Sequence, residues 1–143
     1  MPYTRVWIHF VWSTKKRKPV LNDAVRKGLF DHIKNNSIEK GIFIDCVNGY
    51  IDHVHCLVSL GADQTISKVM QLIKGESAYW FNKQKLIDEK LEWQDEYYAV
   101  SVSESRIVSL RKYIKNQSEY HKGKAFLKEC DELFLKEGIE KLK

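Results

Sequence analysis

The chain has 143 residues, of which 43% are hydrophobic and 30% are charged, and its formal net charge is +5. This length and composition are typical of one folded domain with a buried core, so we expect a single domain over residues 1–143. No apolar run approaches the roughly 20 residues that cross a bilayer, and Arg5 interrupts the first apolar segment, which argues against a signal peptide. We therefore expect a cytoplasmic protein with no membrane partner.

Cysteine usage excludes two further classes of protein. Cys46, Cys56 and Cys130 are odd in number and lack a C-x-x-C spacing, so neither a disulfide framework nor a zinc knuckle is indicated. Cys46 and Cys56 lie in apolar, strand-like segments, where cysteine is usually a small buried hydrophobic residue. We expect both to be structural.

The first predicted elements are a strand and a helix. Residues 5–12 alternate between two faces, which predicts a strand with at least one buried face. Asn22 is a favourable N-cap for a helix that runs to about Lys40, and Gly41 is expected to end that helix.

A β-hairpin follows and carries two histidines. Residues 42–48 and 51–60 are predicted to be its strands, joined at Asn48-Gly49, which is a strong turn signal. Alternation in the second strand puts Val54, Cys56, Val58 and Leu60 on the core face, and leaves His53, His55, Leu57 and Ser59 on the opposite face.

Two more helices and a strand complete the pattern. We predict a helix from about Gln64 to Gln84, a strand at 96–102, and a third helix of about twenty residues capped by Ser103. The tail from Lys124 onward is amphipathic and predicts a final helix. The order begins β-α-β-β-α-β, which is the ferredoxin-like α+β arrangement of a four-stranded antiparallel sheet with helices on one face. The histidines are then expected to project from the other face, left free for ligands.

His53-Val54-His55 is the most informative motif. Side chains two apart on a strand point to the same face with Cα atoms about 6.5–7 Å apart, so two imidazoles can converge on one divalent metal. Tyr113 and Gln117 stand four apart in a helical pattern and therefore share a face. Together these side chains suit metal-assisted attack of a tyrosine on a phosphodiester. From the residues alone, ordinary packing roles remain an equal alternative.

Basic and aromatic residues point to a nucleic-acid surface, with a solvated basic face as the equal alternative. The chain has four Trp, seven Tyr and six Phe. The basic residues that we expect to contact DNA phosphates lie in one run, in the second helix and around Tyr113: Lys15, Lys16, Arg17, Lys18, Lys74, Arg111, Lys112 and Lys115. His9 is expected to support the site or stack on bases, His32 to lie on the surface, and His121 is ambiguous.

Four motifs resemble those of the HUH single-tyrosine transposases of the insertion-sequence two-hundred-like family, the TnpA type. They are Trp12-Ser13-Thr14-Lys15, Gly49-Tyr50-Ile51-Asp52-His53-Val54-His55, Leu72-Ile73-Lys74-Gly75 and Tyr113-Ile114-Lys115-Asn116-Gln117. The last is the most specific, because members of the family commonly show Tyr-Ile-x-x-Gln. The resemblance covers nearly the whole chain.

The resemblance implies a chemistry for these residues. His53, His55 and Gln117 would bind Mg²⁺ or Mn²⁺, and Tyr113 would attack the phosphate to give a 5′-phosphotyrosine and a free 3′-hydroxyl. The expected activity is excision and integration of single-stranded DNA in a prokaryotic cytoplasm, with recognition of hairpins at the element ends. The expected assembly is a homodimer whose active site is shared between subunits.

One departure and three alternatives remain open at this point. Family members often show His-His after the glutamine, whereas this chain has Tyr120-His121, so Tyr120 is the second candidate nucleophile. The alternatives are a non-catalytic base-stacking module similar to RRM domains, a domesticated transposase that only binds hairpins, and a histidine phosphoesterase. The phosphoesterase alternative is weak, because such enzymes need a third histidine or a second H-x-[ST] repeat. In this chain His55 is followed by Cys56-Leu57 instead.

Overall fold

Seven regular elements make up the fold in a computed structural model that describes residues 3–117. The strands are β1 (Val6–Ser13), β2 (Phe43–Gly49), β3 (His53–Leu60) and β4 (Tyr98–Val102), and the helices are α1 (Asp23–Glu39), α2 (Ile66–Gln84) and α3 (Ile107–Lys115). The strands form one antiparallel sheet in the order β2-β3-β1-β4. This is the ferredoxin-like order, and the predicted α+β class is confirmed.

The first helix begins and ends as the sequence predicts. The side chain of Asn22 accepts hydrogen bonds from the backbone N–H groups of Ala24 and Val25, at 3.0 and 3.3 Å. These contacts satisfy donors that the first turn of a helix leaves without partners. Gly41 follows the helix with φ +69°, a left-handed conformation that favours glycine and ends the helix.

Both faces of the sheet are covered, but by different elements. The larger core includes Phe10, Trp12 and Val54 of the sheet and packs against α1 and α2. On the opposite face, Ile107, Leu110 and Ile114 of α3 pack with Trp7 and Leu57. The expectation that the histidine-bearing face is free is therefore wrong, because the apolar stripe of α3 finds its partners there.

The hairpin turn lies two residues later than predicted. Asn48 and Gly49 still pair with His55 and Val54 at the end of β2, and the chain turns over residues 50–52. A Cβ atom at Gly49 would lie 2.1 Å from the carbonyl oxygen of His53. The glycine is thus required for close approach of the two strands rather than for a turn.

The third helix also begins later than predicted. Ser103 precedes a single 3₁₀ turn at Glu104–Arg106, and its side chain makes no capping hydrogen bond. The hydroxyl instead contacts that of Ser105 at 3.2 Å. The helix proper spans nine residues to Lys115. The predicted helix is therefore interrupted at Asn116, which lies in a turn, and Gln117 follows that turn. Beyond Gln117, the rest of the predicted twenty residues, the helix from Lys124, Tyr120, His121 and Cys130 lie outside the described residues.

The expectation that His32 lies on the surface is wrong. His32 is not a surface residue, because its Nε2 lies 2.6 Å from Oε1 of Glu76 and its ring stacks on Trp80 at 4.1 Å. Trp80 itself is half-buried, and Phe81 fills the core position next to it. Within residues 3–117, no helix is both long and apolar enough to cross a membrane.

Candidate active site

The first histidine of the pair, His53, is held between two oxygen atoms. Its Nδ1 lies 2.8 Å from Oδ1 of Asp52, and its Nε2 lies 3.2 Å from Oε1 of Gln117. A carboxylate can only accept, so Nδ1 of His53 donates to Asp52 and a neutral ring then presents a lone pair at Nε2. This lone pair faces the amide oxygen of Gln117.

The second histidine, His55, contacts two other rings. Its Nδ1 lies 2.9 Å from Nε2 of His9, which is the neighbouring histidine on β1. The ring of Tyr113 meets the ring of His55 edge to face, with centroids 5.5 Å apart. The rings of His53 and His55 are themselves 5.1 Å apart, so both imidazoles and the tyrosine share one small volume.

Helix α3 brings Tyr113 to the histidines, and the turn after it brings Gln117 there. Its apolar stripe docks on the sheet, and Asn48 of β2 donates two hydrogen bonds, each of 3.0 Å, to the carbonyl oxygens of Ile114 and Lys115. The last carbonyls of a helix lack partners within the helix, so Asn48 caps the C-terminus of α3 and ties it to β2. The amide of Gln117 also donates to the carbonyl oxygen of Tyr113 at 3.3 Å, which turns Oε1 toward His53.

The donor set suits a divalent cation with open coordination positions. Among the described residues, no group of three His, Cys, Asp or Glu side chains could hold a metal. The further oxygen donor beside Nε2 of His53 is the amide oxygen of Gln117. Nε2 of His53 and that oxygen are 3.2 Å apart. Neighbouring octahedral ligands with bonds of about 2.1 Å lie about 3.0 Å apart, so the two atoms have the spacing that a shared ion needs. Asp52 behind His53 supplies the carboxylate that commonly orients a metal-binding histidine.

The run of basic residues from Lys15 to Lys18 forms a tight, fixed turn. Lys16 and Arg17 both adopt left-handed backbone conformations, with φ 57° and 53°. Such conformations are costly for residues other than glycine and persist only when neighbouring structure holds them. Here the backbone of Lys15 donates to the carbonyl oxygen of Glu92 at 2.9 Å. A cavity of about 180 Å³ lies beside the turn and is lined partly by Lys16, Lys18 and Lys90.

Lys74 is held within the protein rather than extended into solvent. Its ammonium group donates to the carbonyl oxygens of Gln94 and Asp95 at 2.5 and 3.1 Å and lies 5.7 Å from the centre of the Tyr97 ring. Partial burial lowers the pKa of Lys74, and the charge of Asp95 acts in the opposite direction. These contacts attach residues 94 and 95 to α2. The same segment supports the basic turn, because Glu92 accepts the backbone hydrogen bond of Lys15.

The basic residues of α3 line a groove of about 560 Å³ between α3 and β2. The guanidinium of Arg111 makes two hydrogen bonds of 2.8 Å to the carboxylate of Asp45, whereas Lys112 and Lys115 are exposed. Burial, followed by the charge of Asp45, raises the pKa of Cys46 in the same groove to about 12. That thiol is therefore protonated at neutral pH, in agreement with a structural role.

Three residues that contact the site are not among the ligands or the nucleophile predicted from the sequence. For His9 the sequence predicts support of the site or stacking on bases, and the structure shows its contact with His55. Asp52 is adjacent to His53, and that adjacency is the one signal that could have identified it. Asn48 resembles a turn residue and gives no sign of its contact with α3, 66 residues away.

Comparison with known proteins adds the family. A sequence model of the family described as "Transposase IS200 like" matches residues 2–117. The chain is 32% identical to the ISDra2 transposase TnpA of Deinococcus radiodurans over 117 residues, which are 78% of this chain and 83% of that protein.

Two solved structures are similar in fold. The crystal structure of a candidate transposase from Deinococcus radiodurans R1 has a TM-score of 0.62 at 27% identity, covering 81% of this chain and 93% of that one. A REP-associated tyrosine transposase bound to a REP hairpin has a TM-score of 0.61 at 15% identity, covering 85% and 72% of the two chains. The second likeness concerns the fold alone.

Proposed function

This chain is a member of the IS200-like transposase family, and we propose that it cuts and rejoins single-stranded DNA through a covalent bond between Tyr113 and a 5′-phosphate. One observation carries the proposal: α3 and the turn that follows it bring Tyr113 and Gln117 onto the buried pair His53 and His55. Packing alone would not require a phenol, an amide oxygen and two imidazoles to meet at one point.

In the proposed step, the phenolic oxygen of Tyr113 attacks the scissile phosphorus. The bond from phosphorus to the 3′-oxygen breaks, the leaving oxygen takes up a proton, and the downstream strand stays attached as a 5′-phosphotyrosine. A phenol has a pKa of about 10, so its proton must leave during attack. Attack of a 3′-hydroxyl on the phosphotyrosine reverses the step and joins two strands.

We propose that His53, His55 and Gln117 hold Mg²⁺ or Mn²⁺. Such an ion polarises the scissile phosphate and offsets the charge that develops during attack. Asp52 would orient the ring of His53, and His9 would orient the ring of His55. In both cases the partner contacts the Nδ1 atom of the proposed ligand. In both histidines Nε2 is then the nitrogen that faces the ion.

The proposed substrate is single-stranded DNA that carries hairpins at the ends of the element. Phosphate contacts are assigned to the basic turn, Lys15 to Lys18, and to Lys112 and Lys115, whose side chains are exposed. The similar REP-associated transposase was solved with a REP hairpin, which is a precedent in that protein for a DNA hairpin on this fold. Lys74 and Arg111 already make hydrogen bonds within the chain, so a phosphate would have to share them.

We further propose a homodimer with a shared active site, as the family resemblance implies. This can be tested by refolding a mixture of two variants that are each expected to be inactive, Tyr113→Phe and His53→Ala, so that mixed dimers form. If a site combines the histidines of one subunit with the tyrosine of the other, mixed dimers contain one intact site and activity returns. If each site is built from one chain, as α3 packs here on its own sheet, the mixture stays inactive.

The deciding experiment uses single-stranded DNA from the flanks of the gene, labelled separately at each end. Incubation with Mn²⁺ should give a protein-linked band from the 3′-labelled strand and a shorter free fragment from the 5′-labelled strand, both absent with EDTA or with Tyr113→Phe. Tight hairpin binding without either product would instead indicate a protein that keeps the fold and only binds DNA.

A further inference from the structure

A row of polar rings crosses the sheet beneath α3. The ring of His9 on β1 lies edge to edge with that of His55, with centroids 5.2 Å apart and an interplanar angle of 24°, and on its other side it meets Tyr98 of β4 at 5.6 Å. His9 and His55 expose none of their surface. Placing a second imidazole in this interior is costly unless its nitrogen atoms are used, so the contact requires a reason beyond filling space.

The contact between Nε2 of His9 and Nδ1 of His55, at 2.9 Å, allows two arrangements of one proton. In the first, Nδ1 of His55 carries the proton and donates to Nε2 of His9, so Nε2 of His55 presents a lone pair. In the second, His9 donates, and a neutral His55 carries its proton on Nε2. Only the first arrangement lets His55 bind a metal through Nε2, because the hydrogen bond made by one ring nitrogen decides which nitrogen is available to the metal.

We propose that His9 is a positioning residue that accepts the Nδ1 proton of His55 and thereby holds His55 in the tautomer that binds metal. The proposal rests on the proposed role of His55 as a ligand. It gives the two ligands different supports: a carboxylate, Asp52, behind His53, and a neutral imidazole, His9, behind His55. His9 thus fixes the ring of His55 without adding a second negative charge to the buried site.

The direct test is to determine which ring nitrogen of His55 carries the proton in the metal-free, full-length protein. Long-range ¹H–¹⁵N spectra at pH 8, where imidazole groups are ordinarily neutral, should show His55 with its proton on Nδ1. A ring protonated on Nε2, or on both nitrogens, would overturn the proposal. In His9→Phe, which keeps an aromatic ring but removes the acceptor, the Nε2-protonated form should appear.

Metal binding provides a second readout. Mn²⁺ affinity, measured by loss of the free-ion EPR signal, should fall roughly 10- to 100-fold in His9→Phe, which is the usual cost of losing such a partner. His9→Gln places an amide oxygen near the position of Nε2 and should restore most of the affinity. His32→Gln, which changes the histidine paired with Glu76 outside the site, is the matched control and should leave it unchanged. Unaltered affinity in His9→Phe would contradict the proposal, and the wild-type spectrum decides it even if that variant does not fold.

These outcomes separate this proposal from the proposed function. A protein that forms no DNA adduct, yet carries the proton of His55 on Nδ1 and loses Mn²⁺ affinity in His9→Phe, would refute strand transfer and leave the role of His9 intact. If the protein forms the adduct but His55 carries its proton on Nε2, strand transfer would stand and the proposed role of His9 would be refuted.

Discussion

Oε1 of Gln117 lies 3.2 Å from Nε2 of His53, although 64 residues separate them in the chain. This contact joins the end of the tyrosine-bearing helix to the first histidine of the pair. It follows that a change in the position of α3 alters the nucleophile and the proposed metal site together.

The tyrosine assignment predicts a clean separation of binding from chemistry. Tyr113→Phe should abolish the covalent adduct because it removes the attacking oxygen, and hairpin affinity should stay within about threefold because the ring is kept. Tyr120→Phe is the matched variant, and it should form adduct at the wild-type rate. Adduct in Tyr113→Phe but not in Tyr120→Phe would transfer the role to Tyr120. Denaturing gels and binding titrations provide the two measurements.

The amide oxygen of Gln117 should matter more than its bulk. Gln117→Leu should weaken Mn²⁺ binding at least about tenfold, since loss of even a partner of a ligand has this effect. Gln117→Glu retains an oxygen at the same position and should bind Mn²⁺ at least as tightly as wild type. Equal Mn²⁺ affinities in wild type and Gln117→Leu, measured by EPR, would remove Gln117 from the ligand set.

Asp52 should act through His53 rather than on DNA. Asp52→Asn removes the negative charge behind Nδ1 and should lower Mn²⁺ affinity and the adduct rate together, by roughly 10- to 100-fold. Asp63→Asn, an exposed residue beyond β3, is the control. If excess Mn²⁺ fails to restore the rate in Asp52→Asn, a role beyond metal binding would be indicated.

Asn48 should prove essential for placing α3. Asn48→Asp sets a carboxylate against the carbonyl oxygens of Ile114 and Lys115, and we expect it to destabilise the fold by about 1–3 kcal/mol and to slow adduct formation. Asn35→Asp, an exposed change on α1, controls for the added charge. Thermal unfolding and adduct rate should fall together. A full adduct rate in Asn48→Asp would show that α3 does not depend on this cap.

Lys74 and the basic turn should differ in their response to salt. The slope of log affinity against log salt should fall by about 0.7 for each lost contact with single-stranded DNA. Lys16→Gln with Lys18→Gln should therefore flatten the slope, whereas Lys74→Met should mainly lower the stability, by about 1 kcal/mol. Lys68→Met, an exposed change on the same helix as Lys74, is the control. A flatter slope in Lys74→Met would instead confirm the predicted phosphate contact.

Local patterns in the sequence were enough to predict the architecture. Alternation in β1 and β3, the capping side chain of Asn22 and the turn at Gly41 are each determined within a few residues, and the structure agrees with all of them. The hairpin turn was misplaced because glycine serves equally for turns and for close approach of strands. Gly49 serves the latter purpose, which depends on His53 across the hairpin.

The grouping of the candidate residues in space was predictable from the sequence, but the contacts that support them were not. The periods of strand and helix put His53 with His55 and Tyr113 with Gln117, and the structure brings both pairs together. Periodicity could not reveal that α3 covers the histidine face, since an apolar stripe does not name its partner. For the same reason the ion pair of Arg111 with Asp45, distant in sequence, could not be anticipated.

The complete burial of His53, His55 and Gln117 would also govern the time course of uptake of the proposed metal ion. Because none of the three exposes any surface, an ion would reach them only after neighbouring atoms move aside. Uptake is then limited by an opening step once the ion is abundant, and the observed rate should level off as Mn²⁺ concentration rises rather than increase in proportion. The plateau measures how often the closed site opens, a property of the folded chain that equilibrium affinity does not report.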